Sequence, residues 1–269
     1  MAYTFGFIGC GNMGGALAAA AAKTLPGCDI LLSDHDSARA EALADKLGAC
    51  SGGNETAAAE SRFLFLGVKP QMMEDLLTSI APVLRTRTDP FVLVTMAAGM
   101  TIARIQELAG GAYPTIRIMP NTPASVGAGM ILYAASATVS AEDKTAFLQN
   151  MAAAGVLDEL SEGLIDAGCA ISGCGPAFVD LFLEALADGG VECGLPRDKA
   201  LLYAAQMVLG SARLALESGT HPAVLKDRVC SPGGSTIVGV HTLEGGAFRS
   251  TVMNAVSAAY AKTVDLGKK

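Results

Sequence analysis

Three glycines near the start of the chain have a spacing that could bind a nucleotide. Gly9, Gly11 and Gly14 follow the pattern G-x-G-x-x-G. In this pattern the first glycine permits a tight turn, the second leaves room for a pyrophosphate, and the third lets a helix pack closely on a strand. The unpaired N–H groups at the start of such a helix, and its positive dipole end, attract phosphate. Taken alone, the spacing also fits a plain glycine turn between a strand and a helix.

The residues around these glycines favour the nucleotide-binding interpretation. Phe5, Phe7 and Ile8 form an apolar run without a polar face, which is typical of a strand buried in a parallel sheet. An Ala-rich stretch after the glycines predicts a helix that ends near Lys23. A strand, a glycine turn and a helix in this order are the context that a dinucleotide fingerprint requires.

An acidic residue follows the predicted second strand, Asp29–Ser33. Asp34 comes about twenty residues after Gly14, where a carboxylate bonds the hydroxyls of an adenine ribose, and this favours NADH. Arg39 is near enough in the sequence to bind a 2′-phosphate instead. The residues therefore leave the choice between NADH and NADPH open.

Further apolar runs predict an α/β domain with a Rossmann-type, doubly wound sheet over residues 1–160. The additional strands are expected at Phe63–Val68, Phe91–Met96, Thr115–Met119, Gly129–Ala134 and Gly155–Leu160, with helices at Ser37–Leu47 and Glu142–Ala153. Lys69 and Pro70 follow one of these strands, and Ala97, Ala98 and Gly99 follow another. Both groups lie at the carboxyl ends of strands, where open α/β sheets bind their ligands.

Residues 161–269 change to helical patterns separated by Gly and Pro, which predicts an all-α second domain. The helix expected over 176–193 is apolar around most of its circumference, so we expect it to be buried on several sides. Because a small helical domain cannot cover so much apolar surface, we expect a homodimer or higher homo-oligomer formed through this half. The alternative is that the helices pack onto the nucleotide-binding domain alone.

A second glycine turn, Pro232-Gly233-Gly234, precedes a predicted helix. One interpretation is a helix start that is capped by the side chain of Ser235 or Thr236. The other is an anion pocket, because the free N–H groups of a helix N-terminus suit a small carboxylate.

Composition and charge argue against several classes of function. The net charge of −7 speaks against a general nucleic-acid partner. Seven cysteines contain no C-x-x-C pair and three histidines are scattered, so we expect no metal site and reduced thiols. The sequence shows neither a signal peptide nor an apolar run of about 18 residues, so we expect no membrane contact and a cytoplasmic location.

Six motifs spread over the chain form a further pattern. They are F-I-G-C-G-N-M-G at the start, V-K-P at 68–70, A-A-G at 97–99, R-I-M-P-N-T-P at 117–123, S-G-C-G-P-A-F at 172–178, and K-D-R-V-C-S-P-G-G-S-T followed by Leu243 and Glu244. Together they resemble the pyrroline-5-carboxylate reductases, the last enzymes of proline synthesis, and the final motif is far more selective than the glycine turn. Cys174 stands where that family often has Ser. Asp34 stands where many relatives have an uncharged or basic residue, which bears only on a preference for NADPH.

The resemblance implies a Rossmann domain followed by an all-helical dimerisation domain, over residues 161–269, with an active site between the nucleotide domain of one subunit and the helical domain of the other. The implied reaction is hydride transfer from NADPH or NADH to the C=N carbon of a small cyclic imine, which gives L-proline. The implied cofactor contacts are Gly9, Cys10, Gly11, Asn12, Met13, Asn54, Val68, Lys69, Pro70, Ala97, Ala98 and Gly99. The implied substrate contacts are Ser231, Gly233, Gly234, Ser235 and Thr236.

Reduction of a protonated imine needs neither a strong base nor a metal, so positioning can supply much of the rate. We expect the N–H groups of Gly234, Ser235 and Thr236 to hold the substrate carboxylate, and the hydroxyl of Thr236 to bond the ring nitrogen as the catalytic group. Water or Thr236 would relay the proton.

Two other classes share the glycine turn. A β-hydroxyacid dehydrogenase needs a base, usually a lysine on the helix after the Rossmann domain, but no lysine occurs between Lys144 and Lys199. A non-enzymatic NAD(P)-sensing protein would leave the turn at 231–236 without a role.

Overall fold

The computed structural model describes residues 2–267, which form two compact units. The first contains the chain up to Cys174 together with the segment from Ala259, and the second is Gly175–Ala258. This division rests on contacts between residues and does not show which residues bind the nucleotide. The division into a nucleotide-binding domain up to residue 160 and a helical domain from residue 161 therefore stays a prediction.

The first unit is built on an eight-stranded sheet. Its strands are β1 (Tyr3–Ile8), β2 (Ile30–Ser33), β3 (Cys50–Ser51), β4 (Ser61–Leu66), β5 (Val92–Thr95), β6 (Thr115–Met119), β7 (Gly129–Ala135) and β8 (Gly155–Glu159). They lie in the order β3-β2-β1-β4-β5-β6-β7-β8, and all neighbours are parallel except β6 and β7. The winding changes direction between β1 and β4, which confirms the predicted doubly wound sheet and places its switch point beside the glycine turn.

Seven α-helices accompany this sheet within residues 2–174, and the end of α12 (Phe248–Leu266), from Ala259, also belongs to this unit. The seven helices are α1 (Asn12–Ala21), α2 (Ser37–Leu47), α3 (Asn54–Glu60), α4 (Met73–Thr86), α5 (Ile102–Ala109), α6 (Ala141–Met151) and α7 (Ile165–Ser172). Two of them begin with side-chain caps, since Thr101 accepts a hydrogen bond from the N–H of Arg104 and Ser140 from that of Asp143. The two-residue strand β3 and the helices α3, α4, α5 and α7 were not expected from the sequence.

Apolar side chains fill both faces of the sheet. On one face, Phe7 and Phe65 of the neighbouring strands β1 and β4 stack with their ring centroids 4.3 Å apart, and Phe147 of α6 packs beside them. On the other face, Ile8 belongs to a cluster with Leu77 of α4. Burial on both faces is the reason that these strands are continuously apolar, and it holds the ends of β1 and β4 in place.

The second unit is helical throughout its ordered elements. It contains α8 (Gly175–Glu192), α9 (Arg197–Ser218), α10 (Pro222–Arg228), α11 (Ser235–Gly245) and the first part of α12 (Phe248–Leu266). Helix α8 packs against α9, and Phe182 lies 6.0 Å from Phe248 between ring centroids.

Apolar side chains of the second unit remain exposed in a single chain. Within α8, among the described residues, Ala187 is the one fully buried side chain, so the expectation that this helix is buried on several sides is not met by one chain alone. Leu202, Leu209 and Met253 of the other helices are also more than half exposed. A surface of this kind requires a partner surface to cover it.

One stretch has the length and composition of a membrane span, in contrast to the expectation from the sequence. It is Glu162–Glu192, which includes an 18-residue window of mean hydropathy 1.4. The stretch contains α7 and α8, with Gly173 and Cys174 between them. Length and apolar composition are equally typical of a helix that packs against other helices of a protein.

Candidate functional site

The glycine turn joins β1 to α1 through two positions that exclude a side chain. Gly9 has a φ of +100°, in the left-handed region, and a Cβ there would lie 2.7 Å from the carbonyl carbon of Gly67 after β4. A Cβ on Gly14 would overlap the carbonyl oxygen of Gly9. These two glycines allow the first turn of α1 to lie against the end of β1.

Gly11 has the opposite surroundings. It is the N-cap residue of α1 and has an ordinary φ of −67°, and a Cβ there would meet nothing within 4 Å in the described part of the chain. In residues 2–267 no side chain caps α1, so the N–H groups of its first turn stay available. Open space in front of an uncapped helix N-terminus fits the pyrophosphate of a dinucleotide.

Asp34, directly after β2, holds the glycine turn through its carboxylate. Its Oδ2 accepts a hydrogen bond of 2.7 Å from the N–H of Cys10, and its Oδ1 accepts one of 3.0 Å from the N–H of Asp36. Nδ1 of His35 lies 2.9 Å from the same Oδ1. Burial by itself raises the pKa of Asp34, but these hydrogen bonds and the nearby Arg39 outweigh it and hold the pKa below its usual value.

Cys10 contributes to this arrangement through its backbone. Its side chain is buried, and the thiol lies 3.4 Å from the carbonyl oxygen of Ser33. Burial, together with the charge of Asp34, raises the pKa of Cys10 to about 11. The thiol is therefore protonated at neutral pH and faces the protein interior, although the sequence resemblance names Cys10 as a cofactor contact.

A cleft of about 670 Å³ lies at the carboxyl ends of β1, β2 and β4. Six residues expected to bind the cofactor line it, namely Gly9, Gly11, Asp34, Asn54, Val68 and Lys69. Asn54 is oriented at the start of α3 by Ser33, whose hydroxyl lies 2.6 Å from the Asn54 Oδ1. The structure thus brings together residues from four separate segments of the sequence.

Other lining residues were missed by sequence reasoning. Gly67 and three residues in or just before α4, Met72, Asp75 and Ser79, contribute to the same cleft. The helix could have been found from its apolar spacing, because Met73, Leu76, Leu77 and Ile80 recur at helical intervals and are all buried.

The remaining expected cofactor residues lie outside the lining of this cleft as far as residues 2–267 define it. They are Cys10, Asn12, Met13, Pro70, Ala97, Ala98 and Gly99. Asn12 and Met13 open α1, and Ala97–Gly99 form the turn after β5, where Gly99 has a φ of +75°. A Cβ on Gly99 would lie 2.8 Å from the Cα of Gly267, so the end of the described chain packs closely on this turn.

The second glycine turn begins α11 in a way that differs from the prediction. The N-cap residue is Gly234, and Ser235 and Thr236 are the first two residues of the helix, so neither of them is the cap. Gly233 has a φ of +70°, and the N–H of Gly234 donates a 3.0 Å hydrogen bond to the carbonyl oxygen of Ser231. A side-chain cap comes from the residue directly before the helix, and at this position Gly234 has no side chain.

Thr236 has a free hydroxyl in this arrangement. Its side chain is exposed, and its hydroxyl makes no hydrogen bond to any of the residues that the structure describes. The first turn of α11 also lacks a side-chain cap within the described chain, so its N–H groups and the Thr236 hydroxyl are accessible together.

Comparison with known proteins finds relatives that match nearly the whole chain. Residues 162–266 match the family model for pyrroline-5-carboxylate reductase dimerisation, and residues 4–99 match that for NADP oxidoreductase, coenzyme F420-dependent. The chain is 41% identical to pyrroline-5-carboxylate reductase of Pisum sativum, over 98% of this chain and 96% of the relative. It is 42% identical to the reductase of Synechocystis sp., over the full length of both chains.

The chain belongs to the pyrroline-5-carboxylate reductase family. This confirms the resemblance that the six sequence motifs indicated. A solved structure of pyrroline carboxylate reductase from Plasmodium falciparum, with NADP bound, matches with a TM-score of 0.86 at 32% identity, covering 98% of each chain. The reductase fold therefore extends over both compact units, and the glycine turn and the turn at 231–236 both lie inside the matched region.

Proposed function

We propose that this chain reduces 1-pyrroline-5-carboxylate to L-proline with NADPH or NADH. The observation that carries the proposal is an identity of 38–42% to pyrroline-5-carboxylate reductases over nearly the whole chain. The open space at Gly11 in front of α1 supports it, because this is where such an enzyme holds the pyrophosphate of its cofactor.

The residues that would hold the cofactor belong to the first unit. We infer that the N–H groups at the start of α1 bind the pyrophosphate, while Asn54, Val68 and Lys69 line the adjoining cleft. Pro70, which follows Lys69, and Ala97–Gly99 would contact the cofactor beyond this cleft. When bound, NAD(P)H supplies the hydride. The role of the protein is to hold the cofactor and the imine in the correct relative orientation, which can account for much of the rate enhancement.

The residues that would hold the substrate belong to the turn at 231–236. Because the N–H of Gly234 already bonds the carbonyl oxygen of Ser231, the N–H groups of Ser235 and Thr236 are the better candidates to bind the substrate carboxylate. The Thr236 hydroxyl would donate to or accept from the ring nitrogen, and water or Thr236 would deliver the proton. Ser231 and Gly233 would shape the turn.

We propose a homodimer or higher homo-oligomer with a site shared between subunits. The exposed apolar side chains of Gly175–Ala258 and the match of residues 162–266 to a dimerisation family support this proposal. It assigns the nucleotide-binding role to residues 1–160 and the dimerisation and substrate-binding role to residues 161–269.

We propose the cytoplasm as the location of the enzyme. All seven cysteines are free in the structure, and unpaired thiols suit a reducing compartment. The apolar stretch Glu162–Glu192 would then be covered by helices of this protein and its partner subunit.

A steady-state assay with two substrates distinguishes the proposed reaction from its rivals. Oxidation of a cyclic secondary amine such as thioproline, an analogue of the product, with NAD(P)+ should proceed, and so should reduction of 1-pyrroline-5-carboxylate with NADPH or NADH. A β-hydroxyacid dehydrogenase would instead oxidise a 3-hydroxy acid. A sensing protein would bind the nucleotide and turn over neither compound, and either result would contradict the proposal.

A further inference from the structure

The carboxylate of Asp34 is already occupied by groups of this chain. Oδ2 accepts from the N–H of Cys10 at 2.7 Å, and Oδ1 accepts from the N–H of Asp36 at 3.0 Å and lies 2.9 Å from Nδ1 of His35. The side chain is only 4% exposed. An acidic residue that binds a ribose must accept hydrogen bonds from the ribose hydroxyls through free lone pairs on its oxygens. Few such lone pairs remain on the Asp34 carboxylate.

Arg39, in the first turn of α2, lines the same cleft and carries the opposite charge. Its side chain is 48% exposed, and its nitrogens lie 3.6 Å from the Asp34 Oδ1 and 3.6 Å from the Asp36 Oδ2. These separations are too long for hydrogen bonds, so the guanidinium is oriented by two carboxylates while its N–H donors stay free for a ligand.

We propose that Asp34 is a positioning residue that fixes the glycine turn through the Cys10 N–H, and that Arg39 selects NADPH over NADH by binding the 2′-phosphate. This inference rests on the cofactor site proposed above. Asp34, counted as a negative charge at the ribose, would favour NADH. In the structure the Asp34 carboxylate is hydrogen-bonded to three groups of this chain. Arg39, in contrast, has a planar guanidinium whose N–H groups can donate hydrogen bonds to the oxygens of a phosphate.

Neighbouring side chains weaken the expected preference of Arg39 for NADPH. Asp36 is 46% exposed beside Arg39 and competes with a phosphate for the guanidinium. His35 is exposed but has Nδ1 bonded to Asp34, so only its other ring nitrogen can face a ligand. Removal of the Asp36 charge should therefore strengthen NADPH binding and leave NADH binding almost unchanged.

The test is the dissociation constant of the purified full-length chain for NADPH and for NADH, measured by calorimetry without substrate. Arg39→Ala should weaken NADPH about ten- to a hundredfold, the loss expected for charge-assisted hydrogen bonds, with little change for NADH. Asp34→Ser should weaken both nucleotides by a similar factor and leave their ratio unchanged. Asp36→Asn should tighten NADPH alone. Lys46→Ala, an exposed cation in the last turn of the same helix, is the matched control and should change neither constant.

Two outcomes would overturn the inference. If Asp34→Ser weakens NADH but tightens NADPH, then Asp34 reads the ribose directly. If Arg39→Ala binds NADPH as the unmodified chain does, Arg39 has no role in selection. Asp34→Asn, which keeps the side-chain shape, replaces Asp34→Ser if the latter does not fold. Because the readout is binding, these results stand apart from any failure to reduce the imine.

Discussion

The backbones of Gly9 and Gly67 lie too close together for a side-chain carbon to fit between them. The N–H of Gly67 donates a 2.7 Å hydrogen bond to the carbonyl oxygen of Ile8, and a Cβ on Gly67 would lie 2.6 Å from the carbonyl oxygen of Gly9. The ends of β1 and β4 thus meet at the switch point of the sheet. Gly11, two residues further on, faces open space. The first glycine of the motif is required by the fold, and the second is available for a ligand.

This contrast predicts different consequences for the two positions. Gly11→Val should fold, because its Cβ meets no neighbour, and should lose only about 1 kcal/mol as a poorer N-cap residue. It should fill the space expected for the pyrophosphate and abolish detectable nucleotide binding. Gly9→Ala should lower the free energy of unfolding by at least about 2 kcal/mol through backbone strain and overlap. Urea denaturation and NADPH titration measure the two effects. If Gly11→Val folds and binds NADPH as tightly as the chain without the substitution, the phosphates bind elsewhere.

The hydroxyl of Thr236 gives a second prediction. Thr236→Val should lower kcat/KM for the imine about ten- to a hundredfold, which corresponds to about 1.5–3 kcal/mol of transition-state stabilisation. Thr236→Ser should retain most of the activity, because it keeps the hydroxyl. Since Gly234 caps α11, loss of this hydroxyl should leave the melting temperature almost unchanged. Full activity in Thr236→Val would leave the residue without a catalytic role.

A buried ion pair in the first unit gives a third prediction. The guanidinium of Arg117 on β6 is 2% exposed and donates to Asp166 on α7 at 2.5 Å, while its Nε finds no partner among the described residues. Asp166→Ala should cost about 3 kcal/mol of unfolding free energy, because it leaves a buried charge without its nearest counter-ion. The double variant Arg117→Met, Asp166→Ala should be more stable than Asp166→Ala alone.

Urea denaturation measures the free energy of unfolding of the Asp166→Ala variant and of the double variant. Glu217→Ala, which breaks the exposed pair of Arg213 and Glu217, is the control and should change stability by less than about 0.5 kcal/mol. If the double variant is less stable than Asp166→Ala, the cost arises from lost packing around Arg117 rather than from its uncompensated charge.

The exposed apolar surface of the second unit gives a fourth prediction. Light scattering at micromolar concentration should give a mass at least twice the 27.3 kDa of one chain. The association should persist in high salt, because it depends on apolar contacts. A stable and active monomer would contradict a site shared between subunits.

Sequence reasoning recovered the parts of this fold that depend on local pattern. Continuous apolar runs identified β1 and β4, because strands buried on both faces carry no polar side chains. The predicted bounds of α2, Ser37–Leu47, are those of the structure, where Asp36 and Gly48 stand directly outside the helix.

The parts that were missed depend on contacts between distant segments. The role of Asp34 as a ribose ligand stays a prediction, and the sequence does not show that the N–H groups of Cys10 and Asp36 donate to its carboxylate. One interpretation placed the cap of α11 at Ser235 or Thr236 because those residue types favour caps, whereas the N-cap position is occupied by Gly234, directly after Gly233 with its φ of +70°. Burial of α8 could not be judged from one chain, since its apolar sides need a partner surface.

The most direct test of the proposed function is the identity and amount of product formed from 1-pyrroline-5-carboxylate. The purified chain is incubated with the imine and limiting NADPH, then with limiting NADH, and the proline formed is quantified by chiral amino-acid analysis. We predict one L-proline for each reduced nucleotide consumed and no D-proline. Nucleotide binding without proline formation, or nucleotide oxidation that gives another product, would contradict the account.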